Sequence, residues 1–157
     1  MESLKTFSAE ETQSWGRKFA SKIPRAKSHA TVLALQGDLG AGKTTFTQGF
    51  LKGLGVQRRA VSPTFIILRR YPLRAKPFKN LYHFDAYRLK KAEDLEALEF
   101  KLILGDPKNL VLVEWPDRIR KVLPKGTVWL RFSHRKKENE RTIAIKKAGL
   151  MRPAGKH

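Results

Sequence analysis

The chain has no cysteine, no apolar run of membrane-spanning length, and only 14 acidic residues against 33 lysines and arginines. Lack of cysteine rules out a disulfide framework and thiolate chemistry, and suits a reducing compartment. The four histidines are scattered and show no metal-ligand spacing. A transmembrane helix needs about 20 consecutive apolar residues, and no stretch approaches that. The start of the chain, Met1-Glu2-Ser3-Leu4-Lys5-Thr6-Phe7, has no apolar signal-peptide core, so a cytoplasmic address with no membrane role is expected. No linker rich in proline and glycine divides the 157 residues, and no internal repeat is present. With 41% hydrophobic residues, the chain reads as one domain over residues 1–148, with a basic, flexible tail over 149–157.

What is present, above all, is a phosphate-binding loop. Gly37-Asp38-Leu39-Gly40-Ala41-Gly42-Lys43-Thr44 spells G-x-x-x-x-G-K-[ST], and Thr45 follows it. Glycine at both ends and at Gly40 lets the backbone wrap around phosphate oxygens, with successive N–H groups and the start of the next helix aimed at the anion. Lys43 then reaches the β- and γ-phosphates and the Thr44 hydroxyl meets Mg²⁺, so ATP and Mg²⁺ are the expected ligands. The motif requires a strand before it and a helix after it. Ala30-Thr31-Val32-Leu33-Ala34-Leu35 supplies the strand, and Phe46, Phe50, Leu51 and Leu54 recur at helical spacing over Thr44 to Leu54. Gly55 suits the helix C-terminus.

The rest of the pattern predicts an α/β protein: a sheet like that of P-loop NTPases, with flanking helices and an antiparallel edge hairpin. Ser8-Ala9-Glu10-Glu11 has the form of a capping box, and Trp15, Phe19 and Ile23 share one face of a helix over 9–22 that ends before Pro24. Phe65–Leu68 and Asn80–Phe84 read as strands, with Pro72 and Pro77 keeping Tyr71 to Lys79 irregular. Ala92–Leu98 is helix-prone and Asn109–Val113 reads as a buried strand. Gly126–Phe132 pairs with Arg141–Lys146 as a terminal hairpin.

Phosphate-loop enzymes place a carboxylate at the end of a second strand to hold Mg²⁺ directly or through water. Asp85, after Leu81-Tyr82-His83-Phe84, and Glu114, after Leu110-Val111-Leu112-Val113, compete for that place. Ser62-Pro63-Thr64-Phe65 lies where nucleotide-sensing segments often sit, and its spacing also fits a plain turn. Trp115 either stacks on a nucleobase or closes the core. His83 reads as a packed or hydrogen-bonding side chain rather than a catalytic base.

The formal net charge of +19 exceeds what one nucleotide needs and points to a polyanionic partner, with RNA the obvious candidate. Residues 69 to 91 hold eight basic side chains against the single acid Asp85, and Arg135 to His157 hold eight against two. A solvated basic surface is the alternative. No one arginine stands out by pattern as a catalytic finger.

Taken in order, Gly-Asp-Leu-Gly-Ala-Gly-Lys-Thr-Thr at 37–45, Ser-Pro-Thr-Phe at 62–65, His-Phe-Asp-Ala-Tyr-Arg at 83–88 and Glu-Trp-Pro at 114–116 resemble the TsaE family, the bacterial ATPases of tRNA threonylcarbamoyladenosine biosynthesis. The resemblance spans about residues 8 to 132. It implies that Ser62, Pro63, Thr64 and Phe65 form a switch-like segment, that Asp85 contributes to the Mg²⁺ site, that Glu114 serves hydrolysis or positions a metal-bound water, and that Trp115 lies near the nucleotide. It also implies association with a TsaD–TsaB pair that performs the transfer itself. The connection from Tyr71 to Asn80 is unusually basic, and the Lys/Arg-rich tail past the hairpin has no match in the family pattern. A small-molecule or nucleoside kinase shares the loop and size, with Tyr71 to Lys79 as its candidate lid. A non-enzymatic RNA-binding module fits the charge but leaves Lys43, Thr44 and the carboxylates unexplained.

Overall fold

A computed structural model of the chain describes residues 2–57, 67–91 and 93–147. The Ser62–Phe65 segment, the first two residues of the strand predicted at Phe65–Leu68, and the tail at 149–157 lie outside the described residues. In chain order the elements are β1 (Glu2–Thr6), α1 (Ala9–Ala20), β2 (Thr31–Gln36), α2 (Lys43–Gly53), β3 (Leu68–Pro72), β4 (Asn80–Asp85), α3 (Glu93–Ala97), α4 (Phe100–Gly105), β5 (Asn109–Glu114), β6 (Val128–His134) and β7 (Arg141–Lys147). Two 3₁₀ turns, Ala86–Arg88 and Pro116–Val122, follow β4 and β5.

The strands form one seven-stranded sheet in the order β1-β7-β6-β2-β5-β4-β3. Its centre, β6-β2-β5-β4, is parallel. β2 and β5 are buried along almost their whole length, as continuous apolar runs covered on both faces should be. Alternate side chains go to opposite faces. Leu33, Leu35, Leu110 and Leu112 join Phe46 and Phe50 in one core, while Val32, Val111 and Val113 join Phe84 and Phe100 in the other.

The hairpin of β6 and β7 is present, but β1 pairs with β7 and forms the true edge. Nothing in the polar stretch Glu2-Ser3-Leu4-Lys5-Thr6 signals a strand locally. At the other end β3 is antiparallel to β4, so both edges are antiparallel, and the segment from Tyr71 is not irregular throughout. Tyr71 and Pro72 belong to β3, where Pro72 is tolerated because the strand is an edge. α4 was not predicted; its Phe100 and Ile103 are buried against the second core.

α1 begins as its sequence dictates. Ser8 accepts a hydrogen bond from the Glu11 N–H at 3.1 Å, and the Glu11 carboxylate reaches back one residue further than a standard capping box, accepting from the Phe7 N–H at 2.8 Å. α1 packs on α2 almost backbone to backbone. A Cβ on Gly49 would lie 1.8 Å from the Gln13 carbonyl oxygen, and one on Gly16 2.4 Å from that of Phe46. Since α2 carries the phosphate loop at its start, this contact sets the height of the loop. Gly49→Ala must therefore push the helices apart, with an expected loss of about 1–3 kcal/mol of stability or more, measurable by chemical denaturation. A variant as stable as the parent would show that the helices can separate without cost.

Candidate functional site

The chain leaves β2 at Gln36, loops over residues 37–42 and enters α2 at Lys43. Gly37 takes φ 145° with the Phe132 carbonyl oxygen only 2.5 Å from where a Cβ would sit. Gly42 takes φ 105° as the N-cap of α2 and provides no side-chain cap. The first amides of α2 therefore have no side-chain cap and remain available to an anion. Ala41 is buried in the core and anchors the loop from below, whereas Leu39 at the tip is 88% exposed.

A cavity of about 500 Å³ opens over the loop. Its floor is Leu39, Gly40, Gly42, Lys43, Thr44 and Thr45. One wall is Asp85, Tyr87, Glu114 and Trp115; the other is Ser8, Ala9 and Thr12 with Asn139 and Arg141. Gly37, Asp38 and Ala41 shape the back of the loop and do not line the cavity.

The two competing carboxylates turn out to be neighbours. Asp85 and Glu114 end adjacent parallel strands and are Cα partners in the ladder, so the sheet delivers both acids to the same wall. Each is 5% exposed. Burial raises the pKa of Asp85 above the usual carboxylate value, and the charge of Glu114 adds to the rise. The Tyr87 N–H, which donates to Asp85 Oδ1 at 2.9 Å, opposes that rise, with smaller help from His83 and Arg88. Because the folded-state pKa is raised, ionised Asp85 costs folding stability at neutral pH, a cost removed as pH falls through the folded value. A cation bound against this wall would offset the same cost.

Lys43 is 7% exposed. Its ammonium donates to the Gly37 carbonyl and, at 2.9 Å, to the Asp38 carbonyl, and it lies 4.8 Å from the centre of the Trp115 ring. Desolvation by burial lowers its pKa, against the pull of Glu114, Asp38 and Asp85. Trp115 packs on the second core, one of the two readings its position allowed, and also borders the cavity, its ring 5.1 Å from that of Tyr87. Its φ of 55° is left-handed, a conformation a bulky residue adopts at a cost and one that concentrates at functional sites. His83 is buried beside Glu114, with Nε2 3.7 Å from Oε2, and neither ring nitrogen has a hydrogen-bond partner among the described residues. It is a packed side chain, as its sequence context indicated.

Among the described residues no cluster of three His, Cys, Asp or Glu side chains could hold a metal alone. A hydroxyl at Thr44 and two carboxylates facing a phosphate loop fit Mg²⁺ instead, which keeps several waters and takes one or two carboxylates together with substrate phosphates. Tyr87, Asn139, Arg141 and the start of α1 are site residues that sequence reasoning missed. Tyr87 lay within the His83–Arg88 motif, which was a usable signal. Arg141 was one basic residue among many.

Residues 6–143 match the family model for threonylcarbamoyl adenosine biosynthesis protein TsaE. The chain belongs to the TsaE family. It is 33% identical over 137 residues to the tRNA threonylcarbamoyladenosine biosynthesis protein TsaE of Haemophilus influenzae, covering 85% of this chain and 84% of that protein. With the Bacillus subtilis protein of the same name it shares 41% identity over 119 residues, 75% of this chain and 70% of the relative. With that of Rickettsia typhi it shares 34% over 145 residues, 92% and 94%. The crystal structure of Bacillus subtilis YdiB superimposes with a TM-score of 0.69 at 32% identity, covering 94% of this chain and 86% of that one. The architecture of this TsaE-family protein is thus P-loop NTPase-like.

Proposed function

We propose that this protein is a Mg²⁺-dependent ATPase of tRNA threonylcarbamoyladenosine biosynthesis, acting in the cytoplasm on a TsaD–TsaB-type complex that modifies the adenosine 3′ of the anticodon in tRNAs reading codons that begin with A. The observation that carries this reading is the convergence, in one cavity, of Lys43 and Thr44 from the loop with Asp85 and Glu114 from adjacent strands. Family membership supplies the process.

The chemistry follows from these groups. Loop amides and Lys43 neutralise charge on the β- and γ-phosphates, where a preorganised site needs no reorganisation as charge shifts. A bound Mg²⁺ would supply positive charge against the phosphates. Thr44 and Asp85 are the side chains that would hold it. Glu114, one strand nearer the loop, orients the attacking water and takes up its proton. Partner contact near the mouth would complete the site, so hydrolysis by the isolated chain is expected to be slow.

A kinase would need an acceptor lid over the cavity. The segment that suggested one, Tyr71 to Lys79, starts in β3 at the far edge of the sheet and none of its residues lines the cavity. The deciding experiment incubates the protein with Mg-ATP, with and without a TsaD–TsaB pair, and follows ADP, phosphate and complex formation. Stimulated release of ADP and phosphate is the expected result; a phosphorylated small molecule, or no response to the pair, would reject the reading.

The excess positive charge belongs to the same proposal, as a surface for tRNA or an acidic face of the partner complex. Release of counterions predicts that tRNA association weakens steeply as salt rises, roughly in proportion to the phosphates contacted, while ATP binding changes far less. A flat salt response would leave the charge as a solvated surface.

A further inference from the structure

We infer that the uncovered face of the sheet at β6, β7 and β1 is an RNA-binding surface, with Lys5, Arg131 and Lys146 meeting phosphates of a tRNA backbone. The inference deepens the tRNA half of the proposal above by giving it a place in the fold, and it does not depend on the ATP site.

The two faces of the sheet are covered unequally. Val128, Leu130 and Phe132 of β6 and Ile143 of β7 are buried in the first core, and Ile145 packs against it. Alternate residues of these strands therefore point to the opposite face. The second core fills that face over β2, β5 and β4 and takes no described residue from β6, β7 or β1. What remains is a three-strand platform. Trp129, Arg131 and Ser133 of β6 pair with Lys146, Ala144 and Thr142 of β7. From the far side, Ser3 and Lys5 of β1 pair with Ala144 and Thr142. Ser3, Lys5, Arg131, Ser133 and Lys146 are all exposed.

The charge of this platform has one sign. Its described strand residues include Lys5, Arg131 and Lys146 and no carboxylate, and none of these cations has an ion-pair partner among the described residues. Cations elsewhere are already engaged: Arg120 pairs with Asp117 at 3.4 Å, and Arg135 and Lys137 each pair with Glu140 at 3.8 Å. Arg131 and Lys146 are diagonal neighbours on adjacent strands, about 7–8 Å apart. Lys5 lies two strand spacings from Arg131, about 10 Å. Between them stand only the short side chains of Ser3, Ala144 and Thr142. Free cations spread over a flat, low surface suit the successive phosphates of a nucleic-acid backbone, and the neighbouring hydroxyls suit phosphate oxygens and the ribose 2′-OH.

A protein partner would need different chemistry, because protein interfaces are built round a desolvated apolar core. The one large apolar side chain on this face, Trp129, is half-buried, and the Arg120 guanidinium lies over its ring, 4.3 Å from the centre. The potential anchor is covered by a cation, so the surface offers charge instead.

The test measures association of the full chain with an unmodified tRNA transcript by filter binding at several salt concentrations. Three chains are compared: the parent, a platform variant carrying Lys5→Gln, Arg131→Gln and Lys146→Gln, and a control variant carrying Arg74→Gln, Lys76→Gln and Lys79→Gln. The control removes the same charge from exposed positions between β3 and β4. The platform variant is expected to bind tRNA about tenfold more weakly or worse at low salt, and to flatten the slope of log K against log salt by about 3, one for each cation. The control variant should change both far less. If the platform variant fails to fold, its three single substitutions carry the expectation of about 1 in slope each. Equal losses in the two variants would mean that the charge acts without a location and would overturn the inference, as would a parent chain that binds no tRNA at low salt. Parental tRNA binding by the platform variant would also overturn it, and loss of association with the TsaD–TsaB pair in that variant would make the face a protein dock. None of these side chains lines the cavity, so ADP release by the parent with the pair judges the ATPase reading separately.

Discussion

Lys43→Ala is expected to lower Mg-ATP affinity by a factor on the order of a hundred or more, with hydrolysis lost in parallel. The ammonium sits among three negative side chains, Glu114, Asp38 and Asp85, all of which favour its charged form. Removing it withdraws the cation that meets the β- and γ-phosphates and leaves those carboxylates uncompensated beside a triphosphate. Backbone amides cannot supply the missing full charge. The fold should survive. Burial depresses the pKa of Lys43, so at neutral pH the buried ammonium imposes a penalty on the folded state, which disappears as pH rises past its ordinary value of 10.5. Calorimetric titration of ATP into the folded variant measures the effect; parental affinity would remove the phosphate-loop assignment.

Glu114→Gln is expected to reduce ATP turnover by about a hundredfold or more while nucleotide affinity stays within about tenfold, the pattern of a group that acts mainly in the transition state. The substitution keeps the shape of a side chain buried at the end of β5 beside His83 and removes only its charge and basicity. Asp85→Asn, one strand further from the loop, should instead shift the Mg²⁺ concentration needed for activity, because burial disfavours the charged form of that carboxylate and a bound cation would favour it. Both are measured as ADP released at saturating ATP over a range of Mg²⁺, with the TsaD–TsaB pair present. Normal turnover by Glu114→Gln would make Glu114 structural and leave Asp85 as the acid that matters.

The sequence by itself determined the parts whose information is contiguous. The phosphate loop, the strand before it and the helix after it could be read directly, because the eight-residue motif and the apolar periods of two and 3.6 are local properties of the backbone. The buried strand ending in Glu114 was legible for the same reason, and so was the capped start of α1. The ordered motifs were enough to point to the TsaE family. Only the tertiary structure decided that Asp85 and Glu114 share one wall and need not compete, since strand register is set by pairing between distant segments. It alone made Glu2–Thr6 a strand and joined Tyr71 and Pro72 to β3, because hydrogen bonding to an existing edge can override weak local propensity. It alone drew Arg141 from a crowd of basic residues: charge is the same throughout that crowd, and what distinguishes this arginine is the β6–β7 hairpin, which brings the start of β7 beside the loop after β2.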